Sequence, residues 1–335
     1  MTVWMATVRG RINFHQGKPV VNPTLRYDGP EITNVEGNGT TMRRKTYRDD
    51  DFVWEVDQTL LADAEEEATL GQVLDARGLP RKGMKKLFEE KLVLVNDQRS
   101  NPHTIVHEGD EIRLQMAKEK IDHKPEEMDL NVLYEDDDIL ILDKPAGLTV
   151  NSHNQTSLAN GVAYYFDLNK IKRKVRFLNR LDRDTSGCIV IAKSGLAQSY
   201  YQQQIEHNVF EKWYRATTEG LVEQDEQTLE LPMKKSVDGI HYMVLKPKAA
   251  ESEGKMTRTA YNVVLRDEQA NTTDVDVQLL TGRTHQIRVA FSHIGHPLVG
   301  DELYGGKATG EPFKLRAVKV AFTHMRTGER VEVSC

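Results

Sequence analysis

The chain has 335 residues, 39% of them hydrophobic and 29% charged, with a net charge of −6 at pH 7. This length allows two domains and a tail, and the absence of any run of roughly 18 apolar residues argues against a membrane span. The acidic balance argues against a protein that coats nucleic acid indiscriminately, and two cysteines, Cys188 and Cys335, are too few for a disulfide framework. No secretory signal is evident, so we expect a cytoplasmic protein.

The first fifty residues lack a periodic pattern. They mix Gly, Asn, Pro and charged residues, so we predict that residues 1–50 are disordered. Met42 stands just before more regular sequence, which suggests the hypothesis that residues 1–41 precede the native start. N-terminal mass analysis would contradict this hypothesis by finding Met1. Residues 51–69 form a lead-in with a predicted strand at Phe52–Trp54.

Residues 70–116 have the pattern of one small compact unit. Apolar residues recur at helical spacing from Leu70, and Gly78 with Pro80 ends that helix before a second one begins. Two short apolar runs separated by turn residues follow, at Val93–Val95 and Ile112–Leu114. The unit is therefore predicted as helix, helix, strand, turn and strand.

The second helix of this unit is basic. Arg81 and Lys85, like Lys82 and Lys86, are four residues apart, so these cations lie along one side of the helix, where they could meet a phosphate backbone. From charge alone, a solvated helix face is the favoured interpretation. Neighbouring segments decide between the two interpretations.

Residues 117–130 are rich in Lys, Glu, Asp and Pro, which is typical of a solvated linker. Strands and helices then mix over residues 131–335 without a strict alternation, which predicts an α+β domain with a mixed, largely antiparallel sheet. Ser194 is a candidate cap for a helix reaching His207, and Thr281 for one reaching Ile294. The predicted strands are Ile139–Leu142, Cys188–Ala192, Trp213–Thr218, Thr259–Leu265, Val275–Leu280 and Val318–Phe322.

Three polar segments are the candidates for a reactive site. The loop Arg180-Leu181-Asp182 runs on to Thr185-Ser186-Gly187 and lies between apolar runs, where a scaffold can present reactive groups. Residues 281–288, Thr-Gly-Arg-Thr-His-Gln-Ile-Arg, open a helix with a buried stripe, and residues 144–147, Lys-Pro-Ala-Gly, form a turn after a strand. Taken singly, each segment is more often structural than catalytic.

Taken together and in this order, the three segments resemble the RluA family of pseudouridine synthases over about residues 131–334. Residues 70–116 resemble the small αL RNA-binding domain of the S-four type. The resemblance implies an isomerase that acts on RNA without a cofactor or a metal. Large-subunit ribosomal RNA is the expected target, transfer RNA remains an alternative, and the protein is expected to act as a monomer.

The resemblance also assigns roles to individual residues. Asp182 matches the essential aspartate, Arg288 the basic residue that pairs with it, and Tyr214 the tyrosine beneath the target base. The substrate-binding positions are Arg180, which helps displace the base, and Arg283, His285 and Ile287. In the small domain, RNA contacts fall to Arg81, Lys82, Lys85 and Lys86. Asn179 and Arg316 stand where many members have His, which puts substrate identity in doubt.

Other interpretations stay open from the residues alone. His285, His293 and His296 invite a metal site, but no pair of them has the carboxylate spacing of a catalytic zinc centre. A hydrolase using Asp182 and Asp184 would release free uracil, and a non-catalytic RNA-binding protein could keep the same fold. The sequence does not distinguish covalent attack by Asp182 from removal of a sugar proton.

Overall fold

A computed structural model describes residues 14–15, 18–19, 51–61, 67–152, 154–239, 241–245 and 254–335. Near the N-terminus it contains one strand pair, β1 (Phe14–His15) and β2 (Lys18–Pro19). The predicted disorder of residues 1–50 and the hypothesis about Met42 otherwise lie outside the described residues. No helix in the described ranges is long and apolar enough to cross a membrane.

The first unit begins earlier than predicted. Its strand β3 (Phe52–Glu55) pairs with β8 (Glu111–Leu114), so the unit starts at Phe52 rather than at residue 70. The sheet order is β3-β8-β5-β6, with β5 at Val93–Val95 and β6 at Gln98–Arg99. The remaining elements are α1 (Gln58–Leu61), β4 (Ala68–Thr69), α2 (Leu70–Ala76), α3 (Arg81–Glu89) and β7 (Ile105–Val106).

Local sequence explains these boundaries. Thr69 caps α2 and forms a reciprocal capping box with Gln72, which satisfies two helix-end donors at once. The hairpin between β5 and β6 turns at Asn96 and Asp97, which both have positive φ, a conformation that Asn and Asp tolerate. The predicted order of helix, helix, strand, turn and strand is confirmed.

The first unit packs directly on the rest of the chain. Helix α3 buries Gly83, Met84 and Leu87, and a Cβ added at Gly83 would lie 3.1 Å from Leu196 and Ser199 of α5 (Gly195–Glu206). A glycine at this position therefore lets the two helices approach closely.

Residues 117–130 contain no regular element, but they are anchored rather than free. Glu119 N donates to Lys172 O at 2.9 Å, and Val175 N donates to the Asp122 carboxylate at 3.0 Å. Met128 packs where a Cβ on Gly161 would otherwise sit. The predicted linker thus follows the surface of the larger domain that comes after it.

The large sheet confirms the predicted mixed, mostly antiparallel arrangement. Within the described residues it has eleven strands, with the order β15-β14-β16-β17-β13-β18-β12-β10-β9, β11 beside β12 and β19 beside β18. Its one parallel pair there is β12 with β18. The strands are β9 (Val132–Glu135), β10 (Ile139–Lys144), β11 (Arg176–Phe177), β12 (Ser186–Ala192), β13 (Glu211–Glu219), β14 (Glu226–Lys235), β15 (Tyr242–Val244), β16 (Lys255–Asp267), β17 (Thr272–Leu279), β18 (Leu315–Thr323) and β19 (Arg330–Ser334).

Helices α4 (Leu158–Leu168), α5 and α6 (Gln286–His293) and a short 3₁₀ helix at Glu302–Tyr304 complete the domain. Ser194 caps α5 as predicted, since its side chain accepts the Ala197 N–H. The predicted Thr281 cap is wrong, because α6 begins at Gln286. The Thr281 hydroxyl instead accepts Arg258 N–H and donates to the Gln286 side chain, which closes the loop before the helix.

Candidate active site

Asp182 lies in the loop between β11 and β12. Its side chain is 25% exposed, and its Oδ2 accepts one hydrogen bond, from Arg288 Nη1 at 3.2 Å. A tight turn holds the loop, since Thr185 N donates to Asp182 O at 3.1 Å. The carboxylate is therefore held by one arginine and keeps an open side.

The backbone around this loop is tightly fixed. Gly187 has φ +107°, and a Cβ there would lie 2.1 Å from Ala317 O, so only glycine lets β12 and β18 meet. Lys144, fully buried, donates from Nζ to the carbonyls of Pro145, Leu148 and Arg183 at 2.7–2.8 Å. One ammonium thus ties the Lys-Pro turn to the Asp182 loop, a role that sequence reasoning missed.

Arg288 comes from the first turn of α6 and has a second carboxylate partner. Its Nε and Nη2 both reach Asp301 at 2.7 Å, and the Asp301 side chain is 1% exposed. Its guanidinium also stacks on the rings of Tyr304 and Phe313 at 4.9 and 4.3 Å. These contacts fix the direction in which the third nitrogen reaches Asp182. They also make Arg288 part of the fold, in addition to its contact with Asp182.

His285 forms the N-cap of α6 with positive φ, and its ring faces Asp182. Its Nε2 lies 3.9 Å from Asp182 Oδ2, and its Nδ1 lies 2.7 Å from the Tyr304 hydroxyl. That hydroxyl already accepts Tyr242 N–H at 3.0 Å, so we assign its hydrogen to His285 Nδ1 and the ring hydrogen to Nε2. Burial lowers the pKa of His285, which favours the neutral ring over the imidazolium.

A cavity of about 830 Å³ opens over these groups. This volume lies within the range of small-molecule pockets, about 300–1,000 Å³. Four of the predicted site residues line it, namely Arg180, Asp182, His285 and Arg288. The other lining residues are Thr149, Val150, Asn151, Phe177, Leu181, Arg183, Asp184, Thr284, Gly300, Asp301, Glu302, Leu303 and Phe313.

Three predicted site residues do not line the cavity. Tyr214 is 4% exposed and lies behind it, where burial and then the charge of Asp182 raise its pKa. Ile287 is 3% exposed and packs in the core, because it belongs to the apolar stripe of α6. Arg283 is exposed to solvent in the loop before α6.

Asn179 and Arg316 both hold the framework of the domain. Asn179 bridges the backbone of β12, donating to Cys188 O and accepting Val190 N–H. Arg316 Nη2 donates to both carboxylate oxygens of Asp143, at 2.9 and 3.0 Å. Neither residue lines the cavity. Where many family members have His, these two residues therefore differ in the framework behind the cavity and not in the residues that line it.

The four cations predicted to contact RNA lie on the outer face of α3. Arg81 pairs with Asp75 at 2.6 Å, and Lys85 and Lys86 lie within 4 Å of glutamates one helical turn along. Lys82 is exposed and forms no ion pair with a described residue. The face is therefore basic, but acidic neighbours partly offset its charge.

Comparisons with known proteins fit this geometry. A model of the RNA pseudouridylate synthase family matches residues 138–293. An RNA pseudouridine synthase of Aquifex aeolicus, described as uncharacterized, is 37% identical over 262 residues, which are 75% of this chain and 81% of that protein. The chain belongs to the RNA pseudouridine synthase family.

Members of this family are isomerases that convert uridine to pseudouridine in RNA. The ribosomal large subunit pseudouridine synthase D of Haemophilus ducreyi is 32% identical to this synthase over 276 residues, covering 75% of the chain and 81% of the relative. Among solved structures, human RNA pseudouridylate synthase domain containing 1 has a TM-score of 0.51 and 25% identity. That likeness covers 62% of this synthase and 83% of the human chain.

Proposed function

We propose that Asp182 is the catalytic carboxylate of this pseudouridine synthase. The observation that carries the proposal is a carboxylate that is open to the cavity on one side and held on the other by Arg288, which Asp301 orients in turn. Pre-oriented charge of this kind acts without reorganisation during a reaction. The reaction breaks the N1–C1′ bond of uridine, turns the base, and forms a C5–C1′ bond while the C5 hydrogen is lost and N1 gains one.

Asp182 can take part either by attack on the sugar or by removal of a sugar proton. Arg180, exposed at the cavity mouth, is proposed to enter the stack that the target base leaves. Tyr214 is proposed to lie under the displaced base, which requires the base to reach deeper than the cavity wall. Leaving the stack costs a few kcal/mol, so loops and strained sites are favoured targets.

We propose large-subunit ribosomal RNA as the substrate. Support comes from the named activity of the Haemophilus relative, whose similarity extends over three quarters of this chain. The test maps pseudouridine in total RNA from cells with and without the gene. A site lost only from large-subunit RNA supports the proposal, and one lost only from transfer RNA contradicts it. That the enzyme acts as a cytoplasmic monomer stays a prediction.

We also propose that residues 70–116, extended by β3, form an S-four-like RNA-binding domain. Its support is the exposed basic face of α3, which could contact phosphates rather than bases. Neutralising Arg81, Lys82, Lys85 and Lys86 to Gln should weaken RNA binding and flatten its salt dependence while uridine conversion continues. A double Arg258→Gln, Arg266→Gln variant on β16 is the control. Equal salt slopes in the two variants would contradict the proposal.

A further inference from the structure

Lys212 is a buried lysine for which the catalytic mechanism gives no role. It lies on β13 two residues before Tyr214, and its relative exposure is 8%. Among the described residues its ammonium has no hydrogen bond and no ion pair, and burial lowers its pKa. Burying an unpaired charge is unfavourable, so a fold rarely keeps one without a partner.

The position of Lys212 relates it to the active site. Burial alternates along β13, so Lys212 and Tyr214 share the buried face of the strand, about 7 Å apart. Burial and then the charge of Asp182 raise the pKa of Tyr214, so Tyr214 on that face lies near the Asp182 carboxylate. Lys212 is therefore the next residue along this face of β13 from Tyr214, over which the target base is proposed to lie.

The tip of Lys212 points at the turn before α6. A Cβ built on Gly282 would lie 3.7 Å from Lys212 Nζ and within 4 Å of no other described atom beyond its chain neighbours. Because Gly282 has no side chain, no described atom beyond its chain neighbours fills the space beside the ammonium.

The same turn carries two more donors. Gly282 is exposed, and its N–H donates to no described residue. Arg283 is exposed, and its guanidinium forms no ion pair within the described ranges. The ammonium of Lys212 lies beside a turn that also carries an exposed guanidinium and a free amide, and these are donor types that bind phosphate.

We propose that Lys212 and the Gly282–Arg283 turn bind one phosphate of the RNA chain next to the target uridine. The inference rests on the proposed position of the base over Tyr214. RNA supplies the anion that the ammonium lacks, so Lys212 is kept for binding at the expense of stability. Anchoring one phosphate there holds the displaced nucleotide in register with Asp182.

The test compares Lys212→Met with Lys319→Met. Met keeps the apolar stem and removes the charge. Lys319 is the matched control, because it sits opposite Trp213 on the neighbouring strand, with its ammonium over the Trp213 ring and 3.9 Å from Glu332. The probe is a single-stranded oligouridylate, which has no duplex to open, and the readout is its affinity over a range of salt concentrations.

Lys212→Met should weaken binding on the order of tenfold and reduce the slope of log affinity against log salt by about 0.7, the value for one phosphate contact on a single strand. Lys319→Met should leave the slope unchanged. Lys212→Arg should restore most of it. Thermal unfolding of Lys212→Met should occur at the same temperature as in the wild type or higher, since an unpaired buried charge has been removed.

A methylphosphonate scan then locates the contact. One neutralised linkage in the oligouridylate should weaken wild-type binding yet have no further effect on Lys212→Met, because both changes remove the same contact. An unchanged salt slope, a scan without such a linkage, or a Lys212→Met variant that unfolds early would overturn the proposal and make Lys212 structural. These readouts measure binding alone, so a wrong assignment of Asp182 or of the ribosomal target would not affect them.

Discussion

Two clusters of this synthase pair an arginine with carboxylates, and they differ in which carboxylate they leave open to the cavity. In the active site, Arg288 holds Asp301 with two nitrogens and Asp182 with one. In the second cluster, which we call the distal cluster (Asp136, Asp138, His324 and Arg326), Arg326 holds Asp138 with Nε and Nη2 at 2.7 and 3.1 Å. The arginine chemistry is the same in both.

The carboxylates differ in exposure. The side chain of Asp138 is 1% exposed, whereas that of Asp182 is 25% exposed and lines the cavity. The distal Arg326 also reaches the first unit, since it donates to Asp51 O and lies over the Phe52 ring. A fully paired carboxylate therefore joins parts of the fold, while a partly paired one in a cavity is available for chemistry.

The three ligand groups of the distal cluster, Asp136, Asp138 and His324, also have the spacing of a metal site. Their hydrogen bonds give them another function. His324 Nε2 lies 3.1 Å from Asp136, and His324 Nδ1 accepts Thr327 N–H. Both carboxylate oxygens of Asp138 accept hydrogen bonds from Arg326. The Arg326 guanidinium already supplies the positive charge that a metal ion would bring, so we interpret the cluster as structural.

The largest expected effect comes from Asp182→Asn. The amide keeps the shape but cannot act as nucleophile or base, so uridine conversion should vanish while RNA binding persists. The assay measures conversion in the mapped RNA with affinity in parallel. Asp184→Asn is the control, because Asp184 pairs with its exposed neighbour Arg183 and should cost only a modest part of the rate. Substantial conversion by Asp182→Asn would remove the distinction between the two clusters.

Arg288→Met should affect both function and fold. It strips Asp301 of its partner, and breaking a buried ion pair costs about 3–5 kcal/mol of stability. Conversion should fall as well, because Asp182 loses its hydrogen bond. Denaturant unfolding and conversion below the unfolding range separate the two effects. A variant as stable as the wild type would mean that Asp301 finds another donor.

Asp138→Asn should affect only the fold. It breaks the Asp138–Arg326 pair, with an expected loss of about 3–5 kcal/mol in the free energy of unfolding. Conversion of uridine by the folded fraction should stay at the wild-type rate. Asp225→Asn, whose carboxylate is 84% exposed beside Arg266, is the control and should change stability by about 1 kcal/mol or less. A reduced rate in folded Asp138→Asn would link the distal cluster to catalysis.

The smallest expected effect is on the acid side of the pH profile. The pKa of His285 is lowered from 6.5 by burial, so the ring is neutral at pH 7 and gains a proton only in more acidic solution. The positive charge of the protonated ring would face Arg288. Its Nδ1 could then no longer accept the hydrogen bond from the Tyr304 hydroxyl. Conversion should therefore stay level above pH 6.5 and fall below it. His285→Gln should be slower throughout and flatter in acid, and profiles of equal shape would contradict the assignment.

The sequence by itself determined the local elements. Apolar runs predicted β10 and β12, and the Ser194 cap predicted the start of α5, because such elements depend on neighbouring residues. Strand β14 was not predicted. Its sequence is polar, contains Pro232, and buries only Leu229 and Met233, so pairing with β16 rather than its own pattern makes it a strand.

Tertiary structure decided the partners of the site residues. Motif resemblance selected Asp182 and Arg288, which are 106 residues apart, but no local pattern predicted that Asp301 would hold the same arginine. Nor did the strand alternation of Tyr214 tell whether it lines the cavity or lies behind it. Such contacts join distant segments, and only packing decides which polar group becomes fully paired and which stays open to a substrate.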